Sequence, residues 1–276
     1  MRKILTAVAA FILMSPAGYA QGVFKHWAIG AEVSTSGIGL DIATSVTSLI
    51  QLRAGFDVMP GLKYSNAVNL ETIEGYNIDM VEQYLPLYNT LMNRNLTVDD
   101  VKKVDIEGKL TMSDVKFLVD VYPFVLSNFH ITAGVFIGPE KVVEAYNTGA
   151  SKEVMQDVYL WNTYCERLGY ESYQIGVPIG NRFIKPDANG QASAELRVNG
   201  VKPYLGIGFG RAVPRHKRFG LMLEAGCKFW GKPKIYEHDT EVTTEELQGK
   251  DNGWMERFHK WKVYPHVSIR LCGKIL

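Results

Sequence analysis

Beyond its first fourteen residues the chain has no apolar run long enough to cross a bilayer as a helix, which needs about 20 such residues. That excludes a helical membrane protein. Cysteine is scarce: Cys165, Cys227 and Cys272 are an odd number without metal spacing, so they imply neither a disulfide framework nor a zinc site. Excess charge of one sign is missing too. The 30 Lys and Arg residues against 29 Asp and Glu give +1, without the basic surplus that nucleic-acid binding uses. No Pro- or Ser-rich linker divides the 276 residues.

What is present begins with an address. Arg2 and Lys3 precede an apolar run over 4–14, then come Pro16 and the small residues of Gly18-Tyr19-Ala20. This reads as a secretion signal spanning 1–20, cut after Ala20 and too short to anchor. A mature domain 21–276 that belongs to a membrane must then cross it with strands.

The mature chain has the two-residue alternation of strands, whose side chains point to opposite faces. In 49–59, Ile50, Leu52, Ala54, Phe56 and Val58 alternate with Gln51, Arg53, Gly55 and Asp57. The same pattern recurs at 24–34, 38–44, 104–121, 129–137, 192–210, 219–229 and 261–271. The phase of the apolar positions switches between Leu110 and Val115 and again near Asn199-Gly200. We read each case as one long strand with a bulge, because that keeps every long connection on one side. Short links at 45–48, 123–128 and 213–217 alternate with long segments at about 61–102, 140–190 and 232–259. The pattern predicts an all-β fold: a transmembrane antiparallel up-and-down β-barrel of about eight strands, with long, partly helical extracellular loops and both termini periplasmic. The fourth and sixth strands exceed the 9–11 residues that cross a bilayer and are expected to project outside. Trp230 and Trp261 are placed in an outer aromatic girdle, and Tyr122, Phe124 and Phe129 in an inner one.

Composition agrees. The chain is 46% apolar with mean hydropathy −0.06, as a wall averaging a lipid face and a polar interior should be. A soluble barrel would carry its charges outside, whereas here each apolar face is nearly free of charge.

Several segments carry a resemblance: Leu52-Arg53-Ala54-Gly55-Phe56, Leu118-Val119-Asp120-Val121-Tyr122-Pro123-Phe124, Phe129-His130-Ile131-Thr132-Ala133-Gly134, Lys202-Pro203-Tyr204-Leu205-Gly206-Ile207-Gly208-Phe209-Gly210 and Val263-Tyr264-Pro265. With the signal segment, they make the chain resemble small outer-membrane barrel proteins of the Bacteroides group over most of its length except the loops. The resemblance implies an eight-stranded barrel in the cell outer membrane. One departure is the end, Lys274-Ile275-Leu276, where such barrels commonly finish on an aromatic residue that the assembly machinery reads.

The alternation assigns a set of charges to the interior: Glu32, Asp41, Asp57, Asp120 and Glu224 against Arg53, Lys116, Lys228, Lys262 and Arg270. An eight-stranded barrel is just wide enough for side chains to fill, and unpaired buried charge is costly. A balanced set therefore implies a closed, charge-paired lumen, where a selective pore would show rings of one sign. Gly206, Gly208 and Gly210 lie within a strand, so they read as room for neighbours such as Tyr204 and not as a phosphate loop. Glu224, His266 and Ser268 have the residue types of a hydrolase triad, but no nucleophile turn surrounds Ser268, so they read as an interior network. No catalytic residue, metal or cofactor is inferred.

Function is expected in the loops. The segment 76–93 is rich in Ile, Leu, Met, Val and Tyr. In 151–168, Val154, Val158, Trp161, Cys165 and Leu168 share a helical stripe. The two are expected to dock on each other and cap the barrel mouth. The implied role is a non-enzymatic outer-membrane barrel serving structure or surface interaction; the alternative is a narrow pore or small-solute transporter. Implied partners are outer-membrane lipid, the barrel assembly machinery and an extracellular ligand or protein.

Overall fold

The computed structural model describes residues 24, 26–72, 81–124, 126–179, 182–215, 217–237, 240–242 and 262–275. The segment 1–20, expected to be a secretion signal, and Trp261, expected in the outer girdle, lie outside them.

In chain order the strands are β1 (Trp27–Ser34), β2 (Gly37–Ser45), β3 (Ile50–Val58), β4 (Leu62–Asn69), β5 (Glu71–Thr72), β6 (Lys103–Leu110), β7 (Ser113–Val121), β8 (Phe129–Ile137), β9 (Lys141–Asn147), β10 (Ile175–Ile179), β11 (Arg182–Ile184), β12 (Ser193–Arg197), β13 (Val201–Phe209), β14 (Phe219–Phe229), β15 (Lys234–Glu237), β16 (Thr240–Val242) and β17 (Val263–Lys274). Helix α1 (Leu85–Met92) follows β5, and α2 (Lys152–Leu168) follows β9. Eight strands close an antiparallel barrel in the order β1-β17-β14-β13-β8-β7-β3-β2. This is the expected up-and-down ring, with β17 paired to β1 from Ala28↔Lys274 to Ser34↔Ser268.

The wall has two chemically distinct faces. Outward positions read Ile29, Ala31 and Val33 on β1; Ile38, Leu40 and Ile42 on β2; Val115, Phe117, Val119 and Val121 on β7; and Val267, Ile269 and Leu271 on β17. Among the described residues, no outward position on the eight wall strands carries a charge. Burying so wide an apolar band is what strands of this length achieve in hydrocarbon.

At the end of the long connections five wall strands continue. β4, β6, β9, β12 and β15 prolong β3, β7, β8, β13 and β14, and β16 adds the edge of a six-stranded sheet ordered β16-β15-β12-β9-β6-β4. Projection of the fourth and sixth strands was expected; the third, fifth and seventh project as well. β1 and β2 join at Thr35 and Ser36 without projecting.

The expected bulge in the fourth strand is corrected here, whereas along the sixth the pairing of β12 with β9 shifts register between Leu196 and Arg197. Val104, Ile106, Met112, Asp114, Lys116, Leu118 and Asp120 keep one parity along β6 and β7, and all point inward. Ala194, Leu196, Val198, Lys202 and Tyr204 do the same along β12 and β13. The backbone does not change phase; its surroundings do. In the wall the apolar side faces out. Beyond it the apolar side faces in, toward a water-shielded core. Beside the fourth strand the extra residue lies in the third: Val58↔Ser113 is followed by Leu62↔Leu110, four steps against three.

That core is built by the loops. Leu85 and Tyr88 of α1 and Met155, Val158, Trp161 and Cys165 of α2 are buried with Val104, Ile175 and Ala194. Tyr88 meets Trp161 edge-on at 5.3 Å, and its hydroxyl donates to the Asp157 carbonyl at 3.3 Å. The apolar stripe of α2 explains the docking: Met155 belongs to it, while Leu168 is exposed. The helices therefore pack on each other and on the projecting sheet.

Candidate functional site

The lumen is the candidate site, because it gathers the molecule's buried charges. Alternation carries them inward on all eight strands, and burial leaves each to find a partner inside. The structure brings nine of the ten sequence-assigned residues together. Lys262 is the exception: it precedes β17 and is exposed. Asp114, Lys202, His130 and His266 complete the set. Asp114 and Lys202 keep the parity of Lys116 and Tyr204, so their alternation was readable.

Toward the loop end, Asp114 bridges two lysines, with Lys202 Nζ at 2.7 Å and Lys228 Nζ at 3.1 Å. Lys228 also stands 3.7 Å over the Phe136 ring. Beside them, Lys116 Nζ holds Glu32 at 2.9 Å and Asp57 at 2.8 Å.

The middle belt centres on Arg53. Its Nη2 donates to Asp120 Oδ1 at 2.8 Å and to Glu224 Oε2 at 2.5 Å. Thr132 Oγ1 lies 2.8 Å from Asp120 Oδ1, and the Tyr204 hydroxyl donates to Glu224 Oε1 at 2.7 Å. Glycines make room for the bulky members, because a Cβ on Gly206 or Gly226 would collide with the Tyr204 hydroxyl oxygen. Asp120, His130 and Glu224 place ligand-type atoms within 4.8 Å of one another. Arg53 bonds to both carboxylates, so a guanidinium already holds the place a metal would need.

Toward the turn end, Arg270 meets Asp41 through Nε and Nη2 at 2.8 and 2.5 Å. Here the structure shows a stopper where the sequence indicates only a short link at 213–217. Ala212 and Val213, in the β13–β14 link, are buried against Ala28, Ala43 and Met222. The Val213 N–H donates to Gln51 Oε1 at 3.0 Å, Gln51 Nε2 returns a bond to the Val213 carbonyl at 3.1 Å, and Arg270 Nη1 reaches the Ala212 carbonyl at 3.1 Å. Tyr122 is buried here, its hydroxyl accepting from the Ala212 N–H at 3.1 Å. It is therefore part of the stopper and not of an inner girdle. Phe124 and Phe129 stay together at 6.5 Å.

The loop-end mouth is sealed by Met112, Val142, Val198 and Trp230. Trp230 is buried and meets the Tyr264 ring at a tilt, centroids 5.0 Å apart, which corrects its placement in an outer girdle. These residues, on β9 and at the junctions between wall and projecting strands, close the mouth directly, in place of the two helices.

The residues of the sequence-level triad do not assemble. Glu224 is engaged by Arg53, and His266 sits between Ser36 Oγ, 3.2 Å from its Nδ1, and Glu32 Oε1, 3.4 Å from its Nε2. That serine–histidine–carboxylate row is fully buried and held by Lys116. It offers no surface to a substrate.

No protein-family model matches the chain, and no curated protein matches it. Among solved structures the chain is similar to CarO2 of Acinetobacter baumannii, at 15% identity and TM-score 0.44 over 91% of this chain and 99% of that one. It is also similar to CarO of the same organism, at 16% and 0.42 over 91% and 97%, and to a major outer membrane protein of Thermus thermophilus, at 13% and 0.33 over 91% and 99%. Likenesses this distant assign no role to any residue, and the barrel and its lumen rest on the chain's own geometry.

Proposed function

We propose that the chain is an outer-membrane barrel with a closed, charge-paired lumen, serving a structural or surface-interaction role through the domain built on its long connections. One contrast carries this reading. The outward positions of the wall bear no charge, while Arg53, Lys116, Lys202, Lys228 and Arg270 are all paired inside. An exterior of that kind is costly in water and favourable in hydrocarbon. An interior of that kind, stoppered at both mouths, leaves no path for solute. The resemblance to small barrels of the Bacteroides group supports the eight-stranded outer-membrane barrel alone.

In this reading the long connections are extracellular and both termini periplasmic. The wall contacts outer-membrane lipid, the barrel assembly machinery inserts it, and the loop domain meets an extracellular ligand or protein. No enzymatic activity and no nucleic-acid binding are assigned.

Planar-bilayer recording tests the closed lumen, with no steady conductance expected. A steady open channel would replace this reading with a narrow pore or small-solute transporter. Protease shaving of intact cells tests the topology. Cuts should fall within 61–102, 140–190 or 232–259; cuts at 123–128 or 213–217 would invert it.

A further inference from the structure

Among the described residues, the wall strands bury six carboxylates, Glu32, Asp41, Asp57, Asp114, Asp120 and Glu224, against five lysine and arginine side chains. Arg211 adds no lumen pairing. It lies in the link, where its guanidinium reaches the carbonyls of Ser48 and Ser127 at 3.3 and 3.4 Å and covers the Tyr122 ring at 4.1 Å.

The two buried histidines differ in their partners. His266 faces the Ser36 hydroxyl, which can donate or accept. A neutral ring satisfies that site. His130 faces only acceptors. Its Nδ1 lies 3.4 Å from the Asn128 main-chain carbonyl, and its Nε2 lies 3.4 Å from Glu224 Oε2. A neutral imidazole carries one N–H and one lone pair, so one of these contacts would set lone pair against lone pair in a site closed to water. The ring is built into place: a Cβ on Gly208 would stand 2.5 Å from both Cε1 and Nε2.

We propose that His130 carries both ring protons, so that an imidazolium supplies the sixth cation of the lumen. The proton belongs on the imidazole and not on Glu224, because Arg53 Nη2 at 2.5 Å and the Tyr204 hydroxyl at 2.7 Å both donate to that carboxylate. The charged and titratable groups around the ring are Glu224 on β14, Asp120 and Tyr122 on β7, Arg53 on β3, Tyr204 on β13 through Glu224, and Arg211 in the link over Tyr122. Asp120 and Glu224 share the one guanidinium of Arg53, while Arg211 bonds main-chain carbonyls, so an added positive charge on the ring completes the balance. A proton thereby becomes a component of the lumen's closure.

This inference rests on the closed, dry lumen proposed above, and the test separates the two. The full mature chain, labelled with nitrogen-15, is folded in detergent micelles at pH 7, and the His130 ring is assigned by through-bond correlation. Two N–H signals with slow exchange against water are expected. One unprotonated nitrogen with slow exchange overturns the proposal and leaves the closed lumen standing. One unprotonated nitrogen with fast exchange overturns both. Glu224→Gln provides a second reading: a fold that tolerates it should show His130 reverting to one N–H, and a ring still doubly protonated there also overturns the proposal.

Discussion

Arg53 and Glu224 meet at 2.5 Å across the full width of the barrel. They stand on β3 and β14, four steps apart in the eight-strand ring and hence on opposite walls. A single ion pair thus spans the cylinder and ties its two halves. Arg53→Ala leaves Asp120 and Glu224 buried without their cation, and breaking such a pair costs about 3–5 kcal/mol. Unfolding in detergent should show a loss of that size. A water-filled lumen would screen the change, and an unaltered Arg53→Ala variant would sink the closed-lumen reading.

The outer face makes a separate prediction. Leu223 and Ile269 are neighbours in register on β14 and β17, and both point outward. Leu223→Arg or Ile269→Arg should destabilise the barrel by about 2–4 kcal/mol near the bilayer midplane, because the charge must enter hydrocarbon. Folding titrations into lipid vesicles measure this. Variants as stable as the parent would show that these side chains do not face lipid.

The wall was legible because period-2 alternation survives wherever one face is apolar, and β3 states it in one line from Ile50 to Val58. Its continuation was misread for a physical reason. Hydropathy reports which side is dry, and that side swaps where β7 leaves the wall and becomes β6. The eye therefore sees a phase break between Leu110 and Val115 that the backbone does not make. Asp114 and Lys202 were overlooked beside those apparent breaks. Lys262 was over-assigned because alternation says nothing of where a strand begins. The stopper at Ala212 and Val213 left no signal, since a buried link depends on Gln51, Tyr122 and Arg270, all far from it in sequence. Tyr88 meeting Trp161 follows from their apolar stripes, but no local pattern says that Trp230 turns inward.

Cys165 tests the loop domain without touching the wall. It lies on the buried face of α2, and burial pushes its thiol up to about 12. A thiol so placed stays protonated through pH 8 and loses the reactive thiolate form. The folded protein should leave Cys165 unalkylated at pH 8, with labelling appearing only in denaturant. Rapid labelling of native protein, read by mass spectrometry at that residue, would show that the core around α2 is open.

The loop core should also fail independently of the barrel. Trp161 is buried, touches Tyr88, and donates its indole N–H to the Tyr173 carbonyl at 2.9 Å. Trp161→Ala should cost the domain about 3–5 kcal/mol. Limited proteolysis should then cut within 81–101 and 148–174 while the wall strands stay protected. Simultaneous loss of both regions would mean that the domain and the barrel fold as one unit.

The lumen has more than one barrier, and that predicts how conductance responds to mutation. Gln51 holds the stopper through both main-chain groups of Val213. Gln51→Ala leaves a buried N–H and carbonyl unpaired, at about 1–3 kcal/mol per group. The stopper should loosen, seen as faster hydrogen exchange at Ala212 and Val213. Conductance should nonetheless stay absent, because the Arg53 belt and the Trp230 cluster still span the path. Combining Gln51→Ala with Arg53→Ala weakens the stopper and the middle belt and leaves the Lys116 and Asp114 pairs and the apolar cluster at the far mouth. That double variant should admit brief openings in planar-bilayer recordings where each single variant admits none. A steady current from Gln51→Ala alone would show that the turn-end stopper is the sole seal and that the paired charges above it line a wet channel.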